Sequence, residues 1–272
     1  SGLYGSDSVT GATQSFASKN ALGFNASTLQ VNAGYTVNDG NGGGNYLVST
    51  NTAPGTINRA LLTVGIADVS RVYDGGTSAA ATPTVTAGTL FASDTLTGGT
   101  FAFADRHVGT GKTVNVSGVV VNDGNGGNNY TLTQTANTNS TIIVRPMSTW
   151  TGAALDGLWS TPGNWDALPD ASNVLAVTLP AAASAIYDLP STTFLQNLTS
   201  AGSLAIAVGK INIAGNLNTA GYNHTGGVLE GAGSLVVNNS FAQTGGSINL
   251  GGPVTVNQAA GNLVVGAITA SS

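Results

Sequence analysis

The sequence has no cysteine and few charged or aromatic residues. The absence of cysteine excludes disulfides, thiolate metal sites and a cysteine nucleophile. Only 7% of the 272 residues are charged and 6% are aromatic, a composition that is unusual for a cytoplasmic enzyme. The seven lysines and arginines are scattered through a chain of net charge −5. We therefore expect no nucleic-acid binding, which needs clustered positive charge.

Long apolar runs are also missing. No stretch reaches the roughly 18 apolar residues that a membrane-spanning helix needs, so we expect no membrane insertion in this segment. The chain opens with SGLYGSDSVT and lacks the charged-then-apolar pattern of a secretory signal. We interpret the sequence as a mature fragment of a longer protein.

Glycine, small polar residues and regularly recurring Val, Leu and Ile make up most of the chain, with 39 glycines in total. Steady aliphatic content and a small net charge argue against disorder. The composition favours extended β-structure, with glycine in the turns and Asn or Thr stacked in ladders.

One ten-residue phrase occurs twice with a single change. It reads VNDGNGGGNY at Val37–Tyr46 and VNDGNGGNNY at Val121–Tyr130. A second pair of matching segments, Leu3–Gly11 and Leu90–Gly98, extends the repeat upstream. The offset between the copies is 90 − 3 = 87 residues in the upstream pair and 121 − 37 = 84 in the phrase itself. The chain therefore contains a repeated module with a short deletion in its second copy.

Period-2 patterns surround the repeated phrase. Val114 and Val116 point to one face of a predicted strand, while Thr113, Asn115 and Ser117 point to the other. The segments NYLVST (45–50) and NYTLTQT (129–135) that follow the phrase are also predicted strands. The phrase is then a Gly/Asn-rich connection between two strands, since Gly and Asn tolerate positive φ.

The second copy resembles a known family. VYDGGTSAAATP (Val72–Pro83), LFASDTLTGGTFAFADRHVGTGKTVNVSG and VNDGNGGNNYTL are similar to the YDG repeat of filamentous-haemagglutinin-like adhesins. The resemblance covers residues 60–145 well and residues 1–58 as a partial copy. It implies structural modules without catalytic residues, in a bacterial cell-surface or secreted exoprotein exported by two-partner secretion or as an autotransporter. We therefore predict a partial YDG-like module at 1–58 and a complete one at 59–146.

The composition changes near residue 146. A segment at 147–197 carries all three tryptophans and resembles the start of autotransporter and haemagglutinin-type solenoids. Pieces of about 20 residues follow at 198–272, with alternating apolar strands such as Ile211/Ile213, Val236, Ile248/Leu250 and Val254/Val256. The predicted fold class is all-β: tandem YDG-like β modules followed by a right-handed parallel β-helix with three short strands per coil.

Two sets of residues are candidates for ligand binding. Asp39, Asn41, Asp123 and Asn125 have the oxygen side chains that calcium accepts. Each loop has a single carboxylate, so we favour a turn held by side-chain-to-backbone bonds, in which Asn45 and Asn129 also take part. The tryptophans Trp150, Trp159 and Trp165 could stack on sugar rings, but we favour a small core that closes the first coil.

No constellation of catalytic residues is visible. His107 and His224 lie far apart, and Asp188 and Glu230 are nearly the only acids in the solenoid, so neither a metal site nor a carboxylate pair is indicated. The GTGK stretch (Gly109–Lys112) lacks the spacing of a phosphate-binding loop. We therefore expect no enzymatic activity and no cofactor.

The leading hypothesis is a structural stalk or filament segment of a secreted adhesin, which mediates attachment or extracellular matrix, filament or biofilm formation. One alternative is a carbohydrate-binding module that contacts host or matrix glycans. Another is a self-assembling fibre subunit, in which a strand from a neighbouring copy completes residues 1–58. The expected partners are other copies or neighbouring repeats.

Overall fold

The computed structural model describes residues 2–258 and is all-β, with 23 strands and one short 3-10 helix at Pro162–Asn164. No described helix has the length and apolarity to cross a membrane. The chain forms two compact units. The first comprises Ser1–Ala67, Ala81–Thr100 and Val116–Ala136, and the second comprises Asp68–Ala80, Phe101–Asn115 and the chain from Asn137 onward.

Short sheets make up the first unit. Their strands are β1 (Ser8–Thr10), β2 (Gln14–Phe16), β3 (Ser27–Val31), β4 (Thr36–Asn38), β5 (Ala53–Gly55), β6 (Ala60–Gly65), β8 (Thr84–Gly88) and β11 (Tyr130–Gln134). β1 and β4 form an antiparallel pair, and β3 lies between β2 and β5 in a second antiparallel sheet. β6 pairs in parallel with β11 and antiparallel with β8.

The prediction of a strand at 45–50 is wrong, because residues 46–52 have no regular secondary structure. The matching prediction in the second copy is confirmed by β11. β11 is held by its pairing with β6, in which Tyr130 lies opposite Ala60. Among the described residues, no strand pairs with residues 46–50 of the first copy, and Leu47 is fully exposed.

The second unit begins with a four-stranded sheet in the order β7, β12, β10, β9. These strands are β7 (Ser70–Val72), β9 (Thr95–Phe103), β10 (Gly109–Asn122) and β12 (Asn137–Ile143), and β9 and β10 contribute residues to both units. The alternation predicted in β10 is confirmed at Val114, which is fully buried, and at Asn115 and Ser117, which are exposed. It is not resolved at Val116 and Thr113, which are both half-buried. β12 pairs with β10 antiparallel and with β7 in parallel.

A parallel β-solenoid of about four turns fills most of the second unit. Its strands are β13 (Arg145–Thr149), β14 (Val174–Leu179), β15 (Ser184–Tyr187), β16 (Thr192–Leu195), β17 (Asn197–Ile206), β18 (Lys210–Ile213), β19 (Asn216–His224), β20 (Val228–Gly231), β21 (Ser234–Gln243), β22 (Ser247–Leu250) and β23 (Val254–Val256). β14–β16 are thus already solenoid strands within the predicted segment 147–197. The rest of the predicted coil region, 259–272, lies outside the described residues.

The register defines the coil. Leu198 pairs with Leu217, Leu217 with Leu235, and Leu235 with Val254, which gives spacings of 19, 18 and 19 residues. β17 is irregular between Ser200 and Ser203, so its two halves lie on two faces of the coil, and β18 forms the third. This arrangement matches the predicted coils of about 20 residues with three strand segments each.

Aliphatic columns fill the solenoid. Leu198, Leu217 and Leu235 stack in register and each is fully buried, as are Ile211 and Leu229 on another face. Burial of each such side chain contributes about 1.5–3 kcal/mol before the entropy of ordering is subtracted. These columns stabilise the coils without charged residues, which explains the low charge content of this region.

Glycine lets successive coils approach closely at one corner. A Cβ on Gly233 would lie 2.1 Å from the carbonyl oxygen of Gly215 in the preceding coil. No side chain fits there, because this distance is far below van der Waals contact. Outside the coils, exposed asparagines form a ladder, in which Asn238 Nδ2 donates to Asn218 Oδ1 (2.7 Å) and Asn257 Nδ2 donates to Asn238 Oδ1 (3.2 Å).

Candidate functional site

The repeated phrase forms a loop that closes around an aspartate. In the second copy, the Asp123 carboxylate accepts backbone N–H groups of Asn125 (2.7 Å), Gly127 (2.8 Å) and Asn129 (2.9 Å). Asp123 is only 2% exposed. Burial alone would raise the pKa of Asp123, but the three N–H donors stabilise the carboxylate and the net pKa is lowered.

The first copy repeats this arrangement. Asp39 accepts the N–H groups of Asn41 (2.8 Å), Gly43 (2.8 Å) and Asn45 (3.0 Å), and these bonds lower the pKa of Asp39. Asn41 Nδ2 donates to Asn45 Oδ1 at 2.9 Å, as the matching pair does in the second copy. Both loops therefore show the side-chain-to-backbone bonds of the favoured turn interpretation.

Calcium binding at these loops, the less favoured alternative, stays a prediction. Binding would cost free energy, because existing hydrogen bonds of the loops would have to break. The carboxylates of Asp39 and Asp123 face backbone donors, which calcium would have to displace, and Asn41 and Asn125 direct amide groups toward neighbouring asparagines. Within residues 2–258, no three His, Cys, Asp or Glu side chains are grouped so that they could share a metal ion.

A tyrosine clasp ties the start of each repeat copy to the end of its loop. In the second copy, the Tyr130 hydroxyl donates to Asp94 Oδ2 (2.8 Å) and accepts the N–H of Phe91 (2.9 Å). The ring of Tyr130 stacks on that of Phe91 with centroids 6.4 Å apart. Burial raises the pKa of the Tyr130 hydroxyl, which therefore stays protonated and donates to Asp94.

The first copy has the same clasp atom for atom. The Tyr46 hydroxyl donates to Asp7 Oδ2 (2.6 Å) and accepts the N–H of Tyr4 (2.9 Å). The N–H of Asp7 donates to Tyr4 O at 3.1 Å, and the equivalent bond from Asp94 to Phe91 has the same length. The sequence repeat is thus a repeat of one hydrogen-bond network.

In the first unit, a basic segment of copy one binds the clasp of copy two. Lys19 Nζ lies 2.6 Å from Asp94 Oδ1, and the N–H of Ala21 donates to Asn129 Oδ1 at 2.8 Å. Asn129 Nδ2 donates to Asn20 Oδ1 at 3.4 Å. The Asp94 side chain is only 4% exposed, and the hydrogen bond from Lys19 lowers the pKa of Asp94. We call residues 19–21 a basic arm and Asp94, Asn129 and Tyr130 the second acceptor.

We call a basic arm bound to its acceptor a joint. The second unit contains a joint of the same kind, formed by different residues. Arg106 forms an ion pair with Asp170, and the N–H of Val108 donates to Asn173 Oδ1 at 2.9 Å. His107 Nδ1 lies 3.0 Å from Asn173 Nδ2. Residues 106–108 are thus a second basic arm, bound to the segment between β13 and β14. Its acceptor again combines a carboxylate and an asparagine.

We call Asp170, Asn173 and Tyr73 the third acceptor. Its tyrosine, Tyr73, is the first residue of the Tyr-Asp-Gly triplet. Tyr73 is fully buried, and its hydroxyl donates to Leu168 O (2.9 Å) and lies 3.3 Å from Asp170 Oδ1. Burial raises the pKa of Tyr73. Asp74 accepts the N–H of Gly76 at 2.8 Å, while Gly75 has φ +84°, a conformation that favours glycine. The triplet therefore forms a turn that presents Tyr73 to the joint.

The two arms occupy equivalent positions in the repeat. Lys19, Asn20 and Ala21 become Arg106, His107 and Val108 after addition of the 87-residue offset. Both arms have the same order of groups: a positive side chain, then a side chain with a hydrogen-bonding group, then a backbone N–H donor. The joints were not predicted from the sequence. The signal that could have found them is that a basic residue, Lys19 or Arg106, occurs at the same position in both copies.

The three tryptophans form a core that covers the start of the solenoid. Trp165 packs edge-on against Trp150 and Trp159, with centroids 4.9 and 4.5 Å apart, and Trp159 packs against Tyr187 at 5.3 Å. Their exposed fractions are 5% for Trp150, 0% for Trp159 and 6% for Trp165. This burial agrees with the favoured core interpretation and leaves the indole rings no free face for a sugar.

The remaining polar candidates serve local contacts. Asp188 accepts the N–H and hydroxyl of Ser160 at 2.8 and 2.6 Å, and Glu230 pairs with Lys210 at 3.5 Å. Lys112 of the GTGK stretch, which begins β10, pairs with Asp105. His224 is buried inside the solenoid, and this burial lowers its pKa. Each of these charged groups therefore makes a local structural contact.

Comparison with known families identifies a YDG domain at residues 58–138. The domain contains the second copy of the repeat, including the Tyr-Asp-Gly triplet, the Arg106 arm and the Asp123 loop. No curated protein and no solved structure is significantly similar to the chain.

Proposed function

We propose that this chain is a structural segment of the stalk or filament of a secreted bacterial surface adhesin. In this role it sets the reach and stiffness of the parent molecule, which mediates attachment or extracellular matrix formation. The proposal assigns the chain no catalytic chemistry.

The observation that carries the proposal is the joint that recurs in both units. In each, a basic side chain binds a carboxylate, and a backbone N–H two residues later binds an asparagine. Charge-assisted hydrogen bonds of this kind fix orientation as well as distance. A chain whose scarce charged residues hold successive elements together suits a mechanical role.

The solenoid supports the same role. Successive coils add only about 4.8 Å each and contact only their neighbours, so length is gained by adding coils. The bacterial surface location rests on the resemblance of the YDG module to filamentous-haemagglutinin-like exoproteins, as does export by two-partner secretion. It does not rest on the geometry of the joints.

Immunogold electron microscopy of intact source cells tests this proposal. Antibodies raised against the purified chain are expected to label filaments or stalks that project from unpermeabilised cells. A matched preparation of permeabilised cells is the control. Labelling that appears only after permeabilisation would overturn the proposed location and role.

A further inference from the structure

The first module carries an acceptor that no described residue occupies. Asp7, Asn45 and Tyr46 correspond to Asp94, Asn129 and Tyr130 of the second acceptor. The second acceptor holds Lys19 and Ala21. At the first acceptor, no described lysine or arginine pairs with Asp7, and Asn45 is exposed.

The first acceptor is already arranged as the occupied one is. Asn45 receives a hydrogen bond from Asn41 at 2.9 Å, and the equivalent asparagines of the second copy lie at the same distance. Tyr46 donates to Asp7 as Tyr130 does to Asp94. Because this network forms without an arm, binding would require little reordering of the acceptor.

Exposure of the tyrosine differs between the two acceptors in the way that an absent partner predicts. Tyr130 is buried, whereas Tyr46 is half-buried. Asp7 and Asp94 are both half-buried as whole residues, and the aromatic residue beside each is exposed, Tyr4 at 80% and Phe91 at 57%. A second aromatic position therefore lies open next to a carboxylate. This combination suits the apolar stem and the charged end of a lysine or arginine.

We infer that the first acceptor binds the basic arm of a further module of the same type. The arm consists of a lysine or arginine, a residue with a polar side chain, and a residue that donates its backbone N–H. Its ammonium or guanidinium group would bind Asp7, and its N–H would bind Asn45 Oδ1. The inference rests on the proposed structural function and names the partner of one joint.

Both arms of this chain are already used. Lys19 binds Asp94 and Arg106 binds Asp170, so neither is free to bind Asp7. The occupant is therefore an arm from another module. In this contact the arm binds the acceptor side chains Asp7 and Asn45. It differs from the strand addition considered for residues 1–58, in which main-chain hydrogen bonds would join the two copies.

A peptide titration followed by NMR tests the inference on the full chain. The probe is a synthetic peptide with the sequence of Phe16–Gly23, FASKNALG, which contains the first arm. At millimolar peptide we expect saturable shifts of the amide signals of Tyr4, Asp7, Asn45 and Tyr46. Higher salt should weaken the shifts, because the contact is partly ionic.

Two variants serve as matched controls. A peptide in which glutamate replaces the lysine should not shift these signals, and this control leaves the protein unchanged. In the chain, Asp7→Asn keeps an acceptor for the Tyr46 hydroxyl but removes the charge, and it should weaken peptide binding about fivefold or more. The remaining amide signals report whether the variant stays folded.

Three outcomes would overturn the inference: no shifts at millimolar peptide, equal shifts with the glutamate peptide, or shifts confined to Asp94 and Asn129. The last would mean that the peptide displaces the Lys19 arm but does not use the first acceptor. None of these results affects labelling on cells, so failure of the inference is distinguishable from failure of the proposed function.

Discussion

Replacement of Asn173 by alanine should destabilise the second unit measurably. Asn173 is 1% exposed, its Oδ1 accepts the N–H of Val108, and its Nδ2 donates to Asp170 Oδ1 at 2.5 Å. Loss of the acceptor leaves a half-buried N–H unpaired, and loss of the donor weakens the solvation of a buried carboxylate. Each effect costs roughly 1–2 kcal/mol, so we expect the free energy of unfolding to fall by about 2–4 kcal/mol.

Urea-induced unfolding followed by tryptophan fluorescence measures this change, because all three tryptophans lie in the same unit as Asn173. The matched control is Asn223→Ala, at an exposed position on β19, which should change the free energy of unfolding by less than about 0.5 kcal/mol. If Asn173→Ala is as mild as the control, Asn173 does not hold the joint and the reasoning fails.

Three further results are expected. Trp159→Ala should lower the free energy of unfolding by about 3–5 kcal/mol in a circular-dichroism melt, because a fully buried ring is removed; a change below about 1 kcal/mol would contradict the core interpretation. Folding lowers the pKa values of Asp39 and Asp123. The two carboxylates therefore stabilise the folded chain fully at a pH above the ordinary aspartate pKa of about 3.9, and this stabilisation is lost as the pH falls below that value. Melting temperatures measured from pH 7 to pH 3 should therefore drop mainly at the acidic end, and an unchanged value at pH 3 would disprove this linkage. Millimolar calcium should leave the melting temperature at pH 7 unchanged, whereas a clear rise would favour the calcium hypothesis for both loops.

The solenoid was predictable because its signal is periodic. Ile211, Ile213, Ile248 and Leu250 were expected to lie in apolar strands and are buried. In β21 the sequence did not fix which residues face the interior. Val236 was expected at an apolar position, but Leu235 and Val237 face the interior and Val236 between them is only half-buried. Three consecutive aliphatic residues leave the alternation ambiguous, and only the pairing with Leu217 sets the register.

The joints could not be predicted from local patterns. Lys19 meets Asp94 across 75 residues and Ala21 meets Asn129 across 108, so no window of sequence contains both partners. The loop of copy one was expected to lead into a strand, but strand formation depends on a partner rather than on the residues 46–50 themselves. Alignment of the two copies carried the missing information, since it places Arg106 where copy one has Lys19.

Hydrogen exchange at the Ala21 amide tests the central claim most directly. This N–H lies outside any strand, and its described partner is Asn129 Oδ1, so its protection reports on the joint itself. We predict slow exchange at Ala21 in the unchanged chain, and fast exchange at Ala21 but not at Val108 in Asn129→Ala. Exchange of both amides at the rate of an unstructured peptide in the unchanged chain would contradict the claim that basic arms hold the modules together.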